Sequence, residues 1–214
     1  MACQISNGWQ PQAQLGDGYV YESINIMLNR KLHKKSCKRY NIAGNAHELT
    51  FSCYKSQPFL SKERTCEYLI DSINYSRIKH KFDIWAYVFM PNHVHLLICP
   101  QSEQYTISEI LQSIKQPVSR KAIAYLKKNN PTGLKYLATL QKDRPYHFWQ
   151  KGGGYDRNIT KDKTIINIVR YIHNNPVRKN LIETSEKWPY SSAADWQYKK
   201  EGPISIDFDS FPVT

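Results

Sequence analysis

The sequence predicts a mixed α/β domain in which short strands and amphipathic helices follow one another, on three observations. The segment HELTFSCY alternates so that Leu49, Phe51 and Cys53 share one face, the period of a half-buried strand. Tyr87–Pro100 is the longest strongly apolar run in a chain that is otherwise polar and basic. Three further segments carry apolar residues at helical spacing: Cys66, Leu69, Ile70 and Ile73; Ile110, Leu111 and Ile114; and Ile165, Ile168, Val169 and Ile172.

Residues 1–45 read as an N-terminal extension of unassigned fold, with a short helix over Tyr21–Leu32 and a basic run at Lys31–Arg39, the pattern of a disordered or DNA-contacting arm. The domain spans residues 46–196 and opens with the HELTFSCY strand. Ser61 is the expected N-cap of a helix over Lys62–Tyr75. After a basic turn at Arg77–Lys81, Phe82–Phe89 and His93–Cys99 read as strands. Pro91 between them lacks an N–H and so implies a bend or an edge position. Thr106 or Ser108 is the expected cap of a long helix to about Lys128, which Pro117 should kink or split. Asn129–Gly133 breaks the chain, Phe148–Gln150 reads as a short strand, and Gly152–Gly154 as a flexible or tight turn. Thr160 caps the last clear helix, with Asp162 in its first turn, and Pro176 ends it. Leu181, Ile182, Trp188 and Tyr190 order the next segment, and the tail over residues 197–214 is expected to fray.

With 214 residues, 41% hydrophobic and 13% aromatic, the chain can bury a real core, as one domain with appendages or at most two small ones. Thirty Lys and Arg against eighteen Asp and Glu give +12, an excess that points to a polyanionic partner. The five cysteines form no CxxC pair, which argues against zinc ribbons and disulfide frameworks and for a reducing, cytoplasmic setting. No signal peptide is visible, and no apolar run reaches the ~18 residues of a membrane-spanning helix.

The chemistry begins at His93 and His95. On a strand they project from the same face, while Val94 and Leu96 point the other way. An H-x-H pair on a strand is often only polar surface. Here the flanks are apolar, where imidazoles are costly unless hydrogen-bonded or ligated. A His–His metal site needs a further ligand, and with no matching cysteines a neutral or carboxylate oxygen is the expected donor. Tyr171 and Asn175, four apart, share a helix face. The stripe from Ile165 to Ile172 suffices to bury the helix, so Tyr171 is not needed for the core. A tyrosine hydroxyl beside a metal-bound phosphate can attack phosphorus, although its ordinary pKa near 10 requires a nearby cation or base.

PNHVHLL resembles the HUH motif (His, bulky hydrophobic, His), and YIHNNPVRKNLI resembles the YIxxNPVRxGL segment of REP-associated tyrosine transposases, members of the single-tyrosine HUH transposases. HELTFSCY, HFWQ and WPYSS support a resemblance covering roughly residues 47–192. It implies an antiparallel sheet of four or five strands, ferredoxin-like or RRM-like, with the histidine pair on a central strand and helices packed on the sheet. It also implies cleavage and rejoining of single-stranded DNA, with a hairpin element as partner. By the same resemblance His93, His95 and Asn175 bind a divalent metal, Mg²⁺ or Mn²⁺, and Tyr171 is the nucleophile that forms a 5′-phosphotyrosine. Lys179-Asn180, the three glycines and the N-terminal extension depart from the family pattern.

Arg120, Lys121, Arg170, Arg178 and Lys179 are candidate phosphate contacts, and Tyr146, Trp149 and Tyr155 candidate stacking platforms for unpaired bases. His173 faces elsewhere on the helix, which suits packing or a DNA contact. Both monomeric and helix-swapped homodimeric arrangements fit the family. A domesticated nickase with the same site and a non-catalytic nucleic-acid-binding module are the alternative readings. A phosphodiesterase with paired H-x-T/S motifs is disfavoured, because H-V-H occurs once.

Overall fold

The computed structural model describes residues 41–152, 154–160 and 162–212, without the side chains of Asp162 and Lys163. The helix expected over Tyr21–Leu32 and the basic run Lys31–Arg39 lie outside the described residues. Four strands, β1 (Ala46–Ser52), β2 (Phe82–Met90), β3 (His93–Pro100) and β4 (Tyr155–Ile159), form one antiparallel sheet in the order β2-β3-β1-β4. The sheet is therefore of the predicted class, and the histidine strand is central.

The apolar run splits into a hairpin. Met90 pairs with His93, so Pro91 and Asn92 make a two-residue turn in which the missing N–H of Pro91 costs no ladder bond. Strand alternation then sorts the two faces of the sheet. Leu49, Phe51, Phe89, Val94 and Leu96 pack with Cys66, Leu69 and Ile73 of helix α1 (Glu63–His80) and Ile110, Ile114 and Val118 of helix α2 (Ile107–Asn129). On the other face Ala86, Val88 and Leu97 meet Ile165, Ile168, Val169 and Ile172 of helix α3 (Asp162–His173). The three apolar stripes are buried as the spacing predicts, except that Ile70 of the first is only partly covered.

Several boundaries differ from expectation. Helix α1 continues to His80, because the basic residues read as a turn form its last turn, where cations suit the negative helix end. Ser61 makes no cap, the N-cap position falling to Lys62. Thr106 is the N-cap of α2 without a side-chain bond, and the helix runs through Pro117 unsplit, with buried residues on both sides holding it to the core. Phe148–Gln150 forms only an isolated bridge, Cys53 to Trp149. The strand is instead YDRNI, after the glycines. Its period-two signal is faint because it is a short edge strand, paired with β1 alone. Helix α3 ends at His173, and Pro176 opens the next short helix, α4 (Asn175–Arg178), where a first-turn proline loses no bond.

The described part of the tail, residues 197–212, does not fray. After α5 (Ala193–Tyr198), Ile204 is buried in the core and Phe211 packs on Trp85 and Trp196. The reason is the open edge of β2. Ser192 N–H donates to the Tyr87 carbonyl at 3.1 Å, Asp207 N–H to the Ile84 carbonyl at 3.0 Å, and Phe89 N–H to the Tyr190 carbonyl at 2.8 Å. Arg77 ion-pairs with Asp207, locking the tail to α1. Among the described residues no helix is long and apolar enough to cross a membrane.

Candidate active site

The rings of His93 and His95 lie side by side on the α3 face of the sheet, their centroids 4.9 Å apart and their planes at 80°. His93 Nδ1 lies 2.7 Å from Asn92 Oδ1. An amide oxygen only accepts, so Nδ1 carries the hydrogen and Nε2 of the neutral ring holds the lone pair. His95 Nδ1 meets Thr50 Oγ1 at 2.9 Å across the β1–β3 ladder. Burial pushes the pKa of both imidazoles down, His95 to about 4 with His93 adding to the effect, and Lys179 adds to the lowering at His93. At neutral pH both rings are uncharged, the state a metal ligand requires.

Helix α3 brings Tyr171 to this pair. Its ring stands edge-on to His95, 5.6 Å between centroids, and its surface is 40% exposed. Asn175 is buried just beyond the helix end. Its Nδ2 donates to the Tyr171 carbonyl at 2.8 Å and to the Ile172 carbonyl at 3.4 Å, closing two orphan carbonyls. The amide nitrogen is thus committed to the backbone, and Oδ1 is the side-chain atom suited to ligation. The Arg178 guanidinium lies over the Tyr171 ring at 5.1 Å. A cleft of ≈570 Å³ opens here, lined among others by Glu48, Thr50, His95, Tyr155, Arg157 and Tyr171.

The remaining candidates scatter. Arg120 lines a separate groove on the α2 side. Lys121 is ion-paired with Asp71 at 2.9 Å, on the flank that α2 turns toward α1. Arg170 is exposed on α3. Trp149, expected as an exposed stacking platform, is instead 6% exposed. Its ring packs on Phe51 and Phe148, and its indole N–H donates to the Lys115 carbonyl. Tyr155 is exposed and Tyr146 half-buried. His173 is buried, its Nε2 2.8 Å from Ser192 Oγ and its ring against Trp196, a packing role.

Sequence reasoning missed Thr50, Glu48 and Arg157. For Glu48 and Thr50 the signal is the strand period itself, since they fall on the face opposite Leu49 and Phe51, whereas Arg157 lies on the faintly patterned edge strand β4. Glu48 is 6% exposed, with burial raising its pKa and Arg157, 3.9 Å away, opposing that rise. His47 opens the HELTFSCY segment, where the strand period alone gives it no partner. It is fully buried, bonded to Asp156 through Nδ1 at 2.8 Å and to the Tyr105 hydroxyl through Nε2 at 2.7 Å, and this chain ties β1, β4 and the approach to α2.

The residues fit a divalent metal. Each histidine has Nδ1 held by a neighbour, which orients Nε2 as ligating groups are usually oriented. Among the described residues no third His, Cys, Asp or Glu completes a cluster with the pair.

Residues 43–175, more than half of the chain, match the sequence model of the family described as "Transposase IS200 like", and the chain belongs to that family. Within it the chain is 31% identical over 145 residues to the "Putative REP-associated tyrosine transposase" of Haemophilus influenzae (strain ATCC 51907 / DSM 11121 / KW20 / Rd), covering 61% of this chain and 74% of that one. The solved structure of a REP-associated tyrosine transposase bound to a REP hairpin superposes with a TM-score of 0.55 at 20% identity, over 83% of this chain and 96% of the other, a likeness of fold. The resemblance drawn from the two motifs is therefore borne out.

Proposed function

We propose that this transposase cleaves and rejoins single-stranded DNA through a 5′-phosphotyrosine on Tyr171, assisted by Mg²⁺ or Mn²⁺ held by His93, His95 and Asn175. The observation that carries the reading is the Tyr171–His95 contact, which puts a solvent-reachable phenol beside two neutral imidazoles. The phenolic oxygen forms a bond to phosphorus as the bond from phosphorus to the 3′ oxygen breaks. The tyrosine proton is given up, and the departing 3′ oxygen takes one, leaving a free 3′-hydroxyl. Attack by the 3′-hydroxyl of a second strand reverses the step and joins the two strands. A bound metal supplies charge that polarises the scissile phosphate. Arg178, over the Tyr171 ring, supports this reading by setting a cation beside the nucleophile, and Lys179 adds a second near His93.

The partner supported by the solved relative is DNA bearing a hairpin, bound by a monomer or a homodimer. A cytoplasmic setting suits that substrate and the free thiols of Cys53, Cys66 and Cys99. The decisive experiment mixes purified protein with hairpin-bearing single-stranded oligonucleotides, with and without Mn²⁺, and resolves products on a denaturing gel. A metal-dependent covalent adduct at Tyr171 is expected. A binding module gives no adduct with any metal, and that result rejects the reading.

A further inference from the structure

The cleft at Tyr171 contains a pair of opposite charges that the bond-breaking step does not use. On β1, Glu48 and Thr50 project from the same face, two residues and about 7 Å apart. The ladders set them in two neighbouring rows across the sheet. One row is Tyr155, Thr50 and His95, and the next is Arg157, Glu48 and Leu97. Glu48 and Arg157 therefore lie one row from the histidine that Tyr171 touches, and both line its cleft.

The Glu48 side chain is 8% exposed, and its Oε2 lies 3.9 Å from Nη1 of Arg157, whose side chain is 48% exposed. Among the described residues no hydrogen bond reaches this carboxylate, and the ion pair is too long to be one. A carboxylate withdrawn from water needs donors for its oxygens. A cross-strand pair with one partner half in solvent adds little to stability, so the fold alone does not account for it. A ligand that brings two N–H groups into the cleft satisfies both oxygens.

The bases differ in this respect. On its pairing edge guanine alone presents two adjacent donors, N1–H and the N2 amine, beside the O6 acceptor. Adenine and cytosine each set one amine beside a ring lone pair, which repels the second carboxylate oxygen. Thymine holds a single N–H between two carbonyls. Arg157, beside Glu48, supplies a donor for O6, and Tyr155, exposed in the same cleft, offers a ring face for stacking.

We infer that Glu48, together with Arg157, reads an unpaired guanine next to the scissile phosphate and so sets where in a single strand Tyr171 attacks. The inference rests on the DNA-cleaving reading above and names the base that the same cleft selects.

The test measures base preference in full-length protein carrying Tyr171→Phe, which leaves the strands uncut. Fluorescence anisotropy is read at one salt concentration against a labelled oligothymidine and the same strand with one central dG, dA, dC or deoxyinosine. The quantity compared is the ratio of affinities within each protein, because removing a carboxylate strengthens binding to every strand alike. The dG strand is expected to bind about tenfold or more tightly than the all-thymidine strand, the discrimination of one bidentate pair. Deoxyinosine, which lacks the N2 amine, should bind about fivefold more weakly than dG. Adding Glu48→Leu, which removes both acceptors, should bring every ratio to within about twofold of unity. Glu48→Gln, isosteric and with one acceptor left, should cut the dG ratio by about threefold or more, and it decides the case if the leucine variant does not fold. A preference for another base, no preference at all, or a dG preference that survives in the folded Glu48 variants overturns the inference. Protein with the native Tyr171 is assayed for the covalent adduct in parallel. An adduct without base preference removes the reader and keeps the cleavage reading. A Glu48-dependent dG preference without an adduct rejects cleavage and leaves the reader standing.

Discussion

The ring of Tyr171 stands edge-on to the ring of His95, at 89° and 5.6 Å between centroids. One residue comes from the central strand β3 and the other from α3, which packs on that strand's face through Ile165, Ile168, Val169 and Ile172. The contact joins two distant segments into one site.

Tyr171→Phe keeps this ring contact and removes only the attacking oxygen. Adduct formation is expected to fall below detection on a denaturing gel. DNA affinity should change by no more than about twofold, as for surface changes of about 0.5 kcal/mol. An undiminished adduct in this variant sinks the nucleophile assignment.

Thr50→Val removes the hydroxyl that holds His95 Nδ1 while keeping the side chain's shape. Loss of such an orienting partner weakens metal binding by about 10- to 100-fold. Titration calorimetry with Mn²⁺ measures it, and Thr50→Ser should restore most of the affinity. An unchanged Mn²⁺ affinity in the valine variant rejects the orienting role.

Arg178→Gln withdraws the cation over Tyr171 without disturbing the core. Single-turnover adduct formation should slow by about fivefold or more, the scale of a cation held near a π face or a phosphate. Equal rates for the two proteins would remove Arg178 from the site.

Gly154 has φ +75° and no room for a side chain against the Thr50 carbonyl. Gly154→Ala combines left-handed strain with displacement of β1, at a cost of about 3 kcal/mol. That lowers the thermal midpoint by roughly 6–12 °C. Calorimetry showing a shift under 2 °C contradicts the close packing.

Asp195 is buried, with one oxygen accepting from the Gly202 N–H at 2.9 Å and the other unpartnered. Burial raises its pKa, so the folded state holds the proton more tightly than the unfolded chain. Stability from this group is full below the ordinary aspartate pKa near 3.9 and is lost as pH rises through the raised value. Asp195→Asn, which carries no charge to bury, should therefore gain thermal stability over wild type as pH increases from 4 to 7. A gap that is constant across that range would show that the ionisation carries no such cost.

Much of the protein is decided by local order along the chain. Alternation in HELTFSCY and helical spacing in the three isoleucine- and leucine-rich segments specify which faces are buried, because the 2.0 and 3.6 residue periods of strand and helix are properties of the backbone alone. The same local order puts His93 and His95 on one face, and Tyr171 one turn from Asn175. Tertiary structure alone decides what lies across from them. Thr50 reaches His95 only because β1 pairs with β3 in a register that sets them opposite, and Arg178 lies over Tyr171 only because Pro176 starts a second short helix after α3. Trp149 has the composition of a surface platform, and the bridge to Cys53 turns it into the core. The polar tail has the composition of a frayed end, and the unpaired edge of β2 holds it in place through backbone bonds that carry no side-chain signature. Pairing across the sheet is non-local, set by the summed fit of whole faces and edges, and it is this pairing that makes one site of a strand and a helix more than seventy residues apart.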